Sequence, residues 1–186
     1  MIASEDLDEG LRALLLERIR DVPDHPSPGV LFKDITPLLA DPRAFTALVD
    51  ALAEFCTEIG ATKVVGLEAR GFILAAPVAV SAGIGFVPIR KAGKLPGPTL
   101  SQRYELEYGS AEVEVQSGAF APGERVVIID DVLATGGTVD AALSLVRQAG
   151  AHTVGVAVLL EIAFLAGRSR LRSSLRDSPL KAVLVI

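Results

Sequence analysis

Cysteine, histidine and tryptophan are nearly absent from this chain of 186 residues, which holds one cysteine, two histidines and no tryptophan. A single cysteine, Cys56, excludes an internal disulfide and a zinc site built from several cysteines, and we expect it to be a small core residue. Only His25 and His152 offer imidazole nitrogens. A structural transition-metal site is therefore not expected.

Long basic runs are also lacking. The 18 Lys and Arg residues are outnumbered by 23 Asp and Glu, which gives a formal net charge of −5. We therefore expect no nucleic-acid partner held by bulk positive charge. Hydrophobic residues make up 50% of the chain and charged residues 22%, a composition typical of a globular protein. The length fits one domain over residues 1–186.

No stretch predicts a membrane span or a secretion signal. The uncharged stretch 71–89 approaches the length of a span, but it contains Pro77, Pro88 and three glycines. It predicts a buried helix, a turn and a buried strand. The first twenty residues are acidic and then amphipathic, without the basic start and apolar core of a signal peptide. We expect a cytoplasmic protein that does not enter membranes.

Helical and strand patterns alternate along the chain. Apolar spacing predicts helices at residues 7–19, 41–60, 72–82 and 136–150, and strands at residues 63–68, 85–90, 125–130 and 152–161. Continuous apolar strands that alternate with helices predict an α/β fold, with a central parallel sheet covered by helices on both faces. The proline-rich segment 24–39 predicts an ordered loop. The tail after Arg168 is polar until a short apolar run that predicts a last strand.

A loop and a ribbon are predicted between two of the strands. Residues 91–102 are basic and contain two glycines and two prolines, which is typical of a mobile loop. The stretches "YELEY" and "AEVEVQ" alternate in polarity and flank a Gly-Ser turn, as in a β-ribbon. We expect the mobile loop and the start of the ribbon over about residues 91–110.

The most informative stretch is "VVIIDDVLATGGT", residues 126–138. Its apolar strand ends in Asp130 and Asp131, and ligands bind beyond the carboxyl ends of parallel strands. The turn that follows consists of Ala134, Thr135, Gly136, Gly137 and Thr138. Glycines allow close backbone approach, the threonines offer hydroxyls, and the next helix offers free N–H groups at its start. The stretch predicts a phosphate on the turn and a vicinal diol on the aspartates, as in a ribose 5-phosphate.

"DDVLATGGT" resembles the phosphoribosyl-diphosphate (PRPP) motif of the type I phosphoribosyltransferases. Four more segments resemble, in order, those of the adenine phosphoribosyltransferases: "PSPGVLFKDITPLL", "GLEARGF", "RKAGKLPGPTL" and "YELEYG". The resemblance covers roughly residues 7–167. It implies the type I phosphoribosyltransferase fold, with an N-terminal hood over about residues 20–40. It also implies that adenine and PRPP give AMP and pyrophosphate in the presence of Mg²⁺.

The resemblance further implies roles for individual residues. The segment "EARG" resembles the family's pyrophosphate loop, with Arg70 as its guanidinium and a strained or cis peptide expected between Glu68 and Ala69. Glu107 corresponds to the carboxylate that handles the proton on the purine, and Tyr108 is a candidate to close over the site. The other implied ligands are Arg90, Lys91 and Lys94 for pyrophosphate, and Val30, Leu31 and the Lys33 backbone for adenine.

Magnesium would be held mainly by PRPP oxygens and water, so no cage of carboxylates is expected. By analogy with the family, the chain would form a homodimer.

Two alternatives stay open at this point. One is a phosphoribosyltransferase for another base, because a 6-oxopurine site usually uses a lysine side chain and Lys33 supplies one. The other is a non-enzymatic PRPP-sensing regulator, although such proteins usually carry a DNA-binding domain or a basic face. From pattern alone, Arg70 could also pair with Glu68, and Glu107 could be an exposed strand residue.

Overall fold

The structure is a computed structural model that describes residues 9–105 and 109–186. The predicted catalytic Glu107 and its neighbour Tyr108 lie outside the described residues. The first elements are α1 (Glu9–Leu16), β1 (Arg20–Val22), β2 (Phe32–Asp34), α2 (Thr36–Ala40), α3 (Pro42–Glu58), β3 (Lys63–Leu67), α4 (Arg70–Ser81) and β4 (Gly85–Lys91). They are followed by β5 (Thr99–Glu105), β6 (Ser110–Gln116), β7 (Arg125–Leu133), α5 (Gly137–Gln148), β8 (His152–Glu161), a 3₁₀ turn (Ala163–Leu165), α6 (Gly167–Leu175) and β9 (Leu180–Val185).

The centre of the fold is a seven-stranded sheet in the order β5-β6-β4-β3-β7-β8-β9. Strands β4, β3, β7, β8 and β9 run parallel, whereas β6 pairs antiparallel with both β4 and β5. One face packs on α1, α3 and α4, and the other packs on α5 and α6. The predicted α/β fold with helices on both faces is confirmed, and the predicted ribbon forms an antiparallel extension of the sheet.

Two local predictions were wrong, and one helix was not predicted. The segment 24–39, expected as a loop, contains β2 and most of α2. The loop expected over residues 91–102 is shorter, because β5 already begins at Thr99 and pairs with Gln116. The polar tail contains α6, which buries Leu171 and Leu175, one helical turn apart, against the sheet. In each segment the few apolar residues gain their partners from distant parts of the chain, so the local pattern alone was too weak.

The parallel register brings the predicted site segments to one edge of the sheet. Leu67 at the end of β3 pairs with Ile89 of β4, and Gly66 pairs with Ile129 of β7. The residues that follow these positions are therefore neighbours in space. Among the residues that the structure describes, no helix is long and apolar enough to cross a membrane.

Candidate active site

A cavity of about 280 Å³ lies at this edge of the sheet. Five of the predicted site residues line it: Arg70, Lys91, Asp130, Asp131 and Thr138. They come from three separate segments of the sequence, namely the turn after β3, the end of β4, and the run from β7 into α5. The fold thus collects cations, carboxylates and a helix start around one space.

The two aspartates are tightly packed inside β7, which continues to Leu133 and so does not end at them as predicted. Asp131 is only 5% exposed, and its backbone N–H donates to Asp130 Oδ1 at 2.9 Å. Burial raises the pKa of the Asp130 carboxyl well above its ordinary value, and the charge of Asp131 raises it further. A Cβ on Gly71 would lie 2.8 Å from Asp130 Oδ1, so only glycine lets α4 start this close to the carboxylate. The pair offers acceptor oxygens at the place predicted for a diol.

Arg70 faces the aspartates. Its Nε lies 2.7 Å from Asp131 Oδ2, and its guanidinium lies 4.8 Å from the centre of the Phe32 ring. Arg70 therefore pairs with Asp131 and not with Glu68, the alternative that the sequence left open. The peptide between Glu68 and Ala69 is cis, as predicted. Arg70 thus connects the turn after β3 with Asp131 of β7 and with Phe32 of the predicted hood.

The basic segment after β4 is attached to Glu68. Lys94 Nζ lies 2.6 Å from Glu68 Oε1, Arg90 Nε lies 3.4 Å from Oε2, and the Lys91 N–H donates to Oε2 at 2.9 Å. Desolvation, the largest single effect, raises the pKa of Glu68, but the hydrogen bonds from Lys94, Lys91 and Arg90 together lower it to about 2. The carboxylate is therefore charged at neutral pH and balances two of the predicted pyrophosphate ligands.

A second carboxylate holds the backbone of the same segment. The N–H groups of Lys94 and Leu95 both donate to Glu114 Oε1 at 3.1 Å, and the Thr99 hydroxyl donates to Oε2 at 3.3 Å. Glu114 comes from β6 and is only 6% exposed. The basic segment is thus an ordered turn between two buried or nearly buried acids.

The turn before α5 has the features of a phosphate site. Gly136 has a φ of 83° and stands at the N-cap of α5. A glycine has no side chain to cap the helix, so the first N–H groups of α5 remain available to an anion. Thr138 Oγ1 donates to the hydroxyl of Tyr104 at 3.3 Å, which ties this turn to β5. Ala134 and Thr135 precede Gly136 in the same turn.

The predicted adenine ligands lie in the hood. Val30 and Leu31 are 42% and 50% exposed, so their side chains are open to a ligand. Lys33 Nζ is 2.6 Å from Asp21 Oδ1, the residue paired with it across the β1–β2 hairpin. Phe32, between them, packs on Arg70 and edge-on against His25. The hood therefore meets the site through Phe32.

Several residues at the site were not predicted from sequence. Tyr104 lines the cavity beside Thr138, and Glu68 and Glu114 hold the basic segment. Gly167, at the start of α6, lies against the phosphate turn. The alternation of β5 was a usable signal for Tyr104, because it places every second side chain on one face. Nothing in the local sequence marks Gly167 or Glu114.

Comparison with known proteins identifies similar chains. Residues 38–176 match the family model described as "Phosphoribosyl transferase domain". The adenine phosphoribosyltransferase of Streptomyces coelicolor is 65% identical over 177 residues, which is 95% of this chain and 97% of that protein. That of Streptomyces avermitilis is 66% identical over 173 residues, 93% and 95% of the two chains.

Solved structures agree with these relatives. The adenine phosphoribosyltransferase of Rhodothermus marinus has a TM-score of 0.89 and 46% identity, covering 96% of this chain and 100% of its own. The enzyme of Saccharomyces cerevisiae, solved with an imino-altritol bisphosphate and adenine, has a TM-score of 0.86 and 39% identity, covering 95% and 100%.

Proposed function

This chain belongs to the adenine phosphoribosyltransferase family, and from that premise we propose how its own residues act. It is an enzyme of purine salvage that transfers the 5-phosphoribosyl group of PRPP to adenine and releases AMP and pyrophosphate. The observation that best supports this function is the cavity at the carboxyl ends of the strands, which is lined by Arg70, Asp130, Asp131 and Thr138. A sugar with a phosphate at one end and a diphosphate at the other matches that order of groups.

The 5-phosphate binds the turn before α5. Backbone N–H groups of residues 134–138, with the hydroxyls of Thr135 and Thr138, supply donors, and the helix start supplies a favourable dipole. Asp130 and Asp131 accept hydrogen bonds from the ribose hydroxyls. Because Asp131 is already paired with Arg70, the sugar and the guanidinium share one carboxylate.

The pyrophosphate is held by cations. Arg70 and Lys91 line the cavity, and Arg90 and Lys94 contact Glu68, which also lines it. During the reaction the bond between the sugar C1 and a pyrophosphate oxygen breaks, and a bond between C1 and a purine nitrogen forms. The sugar is expected to pass through an oxocarbenium-like state, as in glycosyl transfer generally. Cations that stabilise the departing oxygen lower this barrier.

Magnesium would bind at this site mainly through the oxygens of PRPP. Within residues 9–105 and 109–186, no group of three or more His, Cys, Asp and Glu side chains is arranged to hold a metal ion. The oxygens of Asp130 and Asp131 suit Mg²⁺ chemically, while PRPP oxygens and water would fill most of its coordination shell. When bound, Mg²⁺ would neutralise charge on the pyrophosphate.

Adenine binds in the hood, against Val30 and Leu31, with the backbone of Lys33 reading its edge. Lys33 Nζ lies 2.6 Å from Asp21 Oδ1. Phe32, the residue before Lys33 on β2, packs against Arg70. A lysine held in this way does not offer its ammonium to an exocyclic oxygen. This favours adenine over a 6-oxopurine.

Two copies of the chain are proposed to pair through the outer face of α4. After Arg70 this helix has no charged residue. On this helix Val80 is 82% and Ile73 44% exposed, and Phe86 of the neighbouring β4 is 36% exposed. An uncharged apolar face can meet its own copy without bringing like charges together. Sedimentation of the wild type and Val80→Glu tests this, since a homodimer through α4 predicts that the charge yields monomers.

We also place the reaction in the cytoplasm, because charged substrates such as PRPP do not cross membranes unaided.

Glu107 is proposed to take the proton that adenine loses as the new bond forms. The test is Glu107→Gln, with Glu105→Gln as a matched control two residues away, assayed for kcat and for PRPP binding. We expect kcat to fall by about 10²–10⁴ in Glu107→Gln, the usual contribution of general acid–base catalysis, while PRPP binding stays near wild type. Equal kcat values in Glu107→Gln and wild type would refute this role.

A further inference from the structure

Glu68 is an acid in a site built for an anion. Its side chain is only 9% exposed and lines the cavity that the reactants enter. Pyrophosphate carries several negative charges, so a fixed carboxylate beside it costs binding free energy unless its charge is compensated. The presence of a carboxylate at this position therefore calls for a functional explanation.

The contacts of Glu68 are those expected of a phosphate group. Its oxygens accept from Lys94 Nζ at 2.6 Å and from the Lys91 backbone N–H at 2.9 Å, and they lie 3.4 Å from Arg90 Nε. Arg90 Nη1 in turn donates to the Lys94 carbonyl at 3.0 Å, which links the two cations. Ammonium, guanidinium and backbone amide together form a typical anion site.

We propose that Glu68 is an internal substitute for pyrophosphate. The proposal rests on the assignment of Arg90 and Lys94 to pyrophosphate made above. In the free enzyme Glu68 occupies both cations and keeps them at the cavity. PRPP takes them over when it binds, and Glu68 recovers them as pyrophosphate leaves.

Glu114 gives the exchange a fixed frame. It holds the backbone N–H groups of Lys94 and Leu95, so the two cations can change partners by side-chain rotation alone. Its described contacts are these amides, the Gly93 amide and the Thr99 hydroxyl, whereas the Lys94 ammonium contacts Glu68. The two acids therefore differ in task, and one serves as the control for the other.

The test is a calorimetric titration of magnesium pyrophosphate into the full chain. Wild type is compared with Glu68→Gln, with Glu114→Gln, and with Glu112→Gln, which removes one surface charge on β6. A partly exposed ion pair is worth up to about 1 kcal/mol, so loss of its competition changes Kd by up to about fivefold. We expect Glu68→Gln to bind pyrophosphate tighter by this factor, and the other two variants not to do so.

The outcomes separate the two proposals. A wild type that does not bind magnesium pyrophosphate refutes the proposed function and this inference with it. Binding by wild type with equal or weaker binding by Glu68→Gln overturns the inference alone. If Glu114→Gln tightens pyrophosphate binding by the same factor, the inference is also overturned, because a looser turn would then explain the tighter binding.

Two further variants guard against a folding defect. Glu68→Asp keeps the charge but shortens the reach to Lys94, and it should tighten binding by less than Glu68→Gln. In a Lys94→Gln background, Glu68→Gln should lose most of its effect, and an undiminished effect would contradict the exchange.

Discussion

Gly167 offers a sharp test of how the phosphate turn is supported. It starts α6, outside every motif identified in the sequence. A Cβ at this position would lie 2.2 Å from the carbonyl oxygen of Ala134 and 3.1 Å from the backbone N of Gly136. Both atoms belong to the backbone of the turn and cannot rotate away, so Gly167→Ala must push α6 and the turn apart.

The size of the effect follows from overpacking. Forcing a methyl group into a packed site costs about 1–3 kcal/mol, which lowers the Tm of a chain of this length by about 2–12 °C. If about 1.4 kcal/mol of this cost weakens the binding of PRPP at the turn, the KM for PRPP rises about tenfold. The KM for adenine should change little, because its proposed ligands Val30, Leu31 and Lys33 lie in the hood and not in α6 or the turn.

Gly85→Ala is the matched control. A Cβ there would lie 3.4 Å from carbons of the Lys63 side chain, an ordinary contact with a flexible neighbour. The assays are thermal denaturation and initial rates at varied PRPP. A Gly167→Ala enzyme with the Tm and the PRPP KM of Gly85→Ala would show that the contact between α6 and the turn does not matter.

Three more predictions concern single side chains. Asp41 caps α3 by accepting from two backbone N–H groups, so Asp41→Ala should lower the Tm by about 2–4 °C, and an unchanged Tm would contradict this. Tyr104→Phe removes the acceptor of the Thr138 hydroxyl and should change the KM for PRPP about twofold to fivefold. An equal change in the KM for adenine would rule out a local effect. The pKa of Glu68 is about 2 in the folded chain against an ordinary 4.5, so its stabilisation is complete above pH 4.5 and is lost as pH falls towards 2. Glu68→Gln should therefore lose less stability than wild type over that range, and parallel acid denaturation curves would refute the shift.

The strand, turn and helix around residues 126–138 could be predicted from the sequence because local physics decides them. A run of apolar residues needs a buried strand, two aspartates need the edge of a sheet, and paired glycines allow the turn. The same holds for α3, whose Asp41-Pro42 start marks the helix directly. The structure places these elements close to where the pattern predicted them.

The partners of charged residues could not be predicted in the same way. Arg70 was open to a pair with Glu68, two positions away, but it pairs with Asp131 on β7. Glu68 instead meets Lys94. These pairings depend on the turn after β3 and on the register of three parallel strands. Neither can be predicted from a short stretch of sequence. Leu171 and Leu175 likewise gave too weak a pattern to reveal α6.

The proposed hood pocket requires that this chain joins adenine, and not an oxopurine or orotate, to the sugar of PRPP. The most direct measurement is product formation from PRPP and Mg²⁺ with adenine, run beside hypoxanthine, guanine, xanthine and orotate. We expect AMP from adenine and little turnover of the other bases. Comparable turnover of hypoxanthine would contradict the assigned hood pocket. Binding of PRPP without turnover of any base would contradict the catalytic assignment itself.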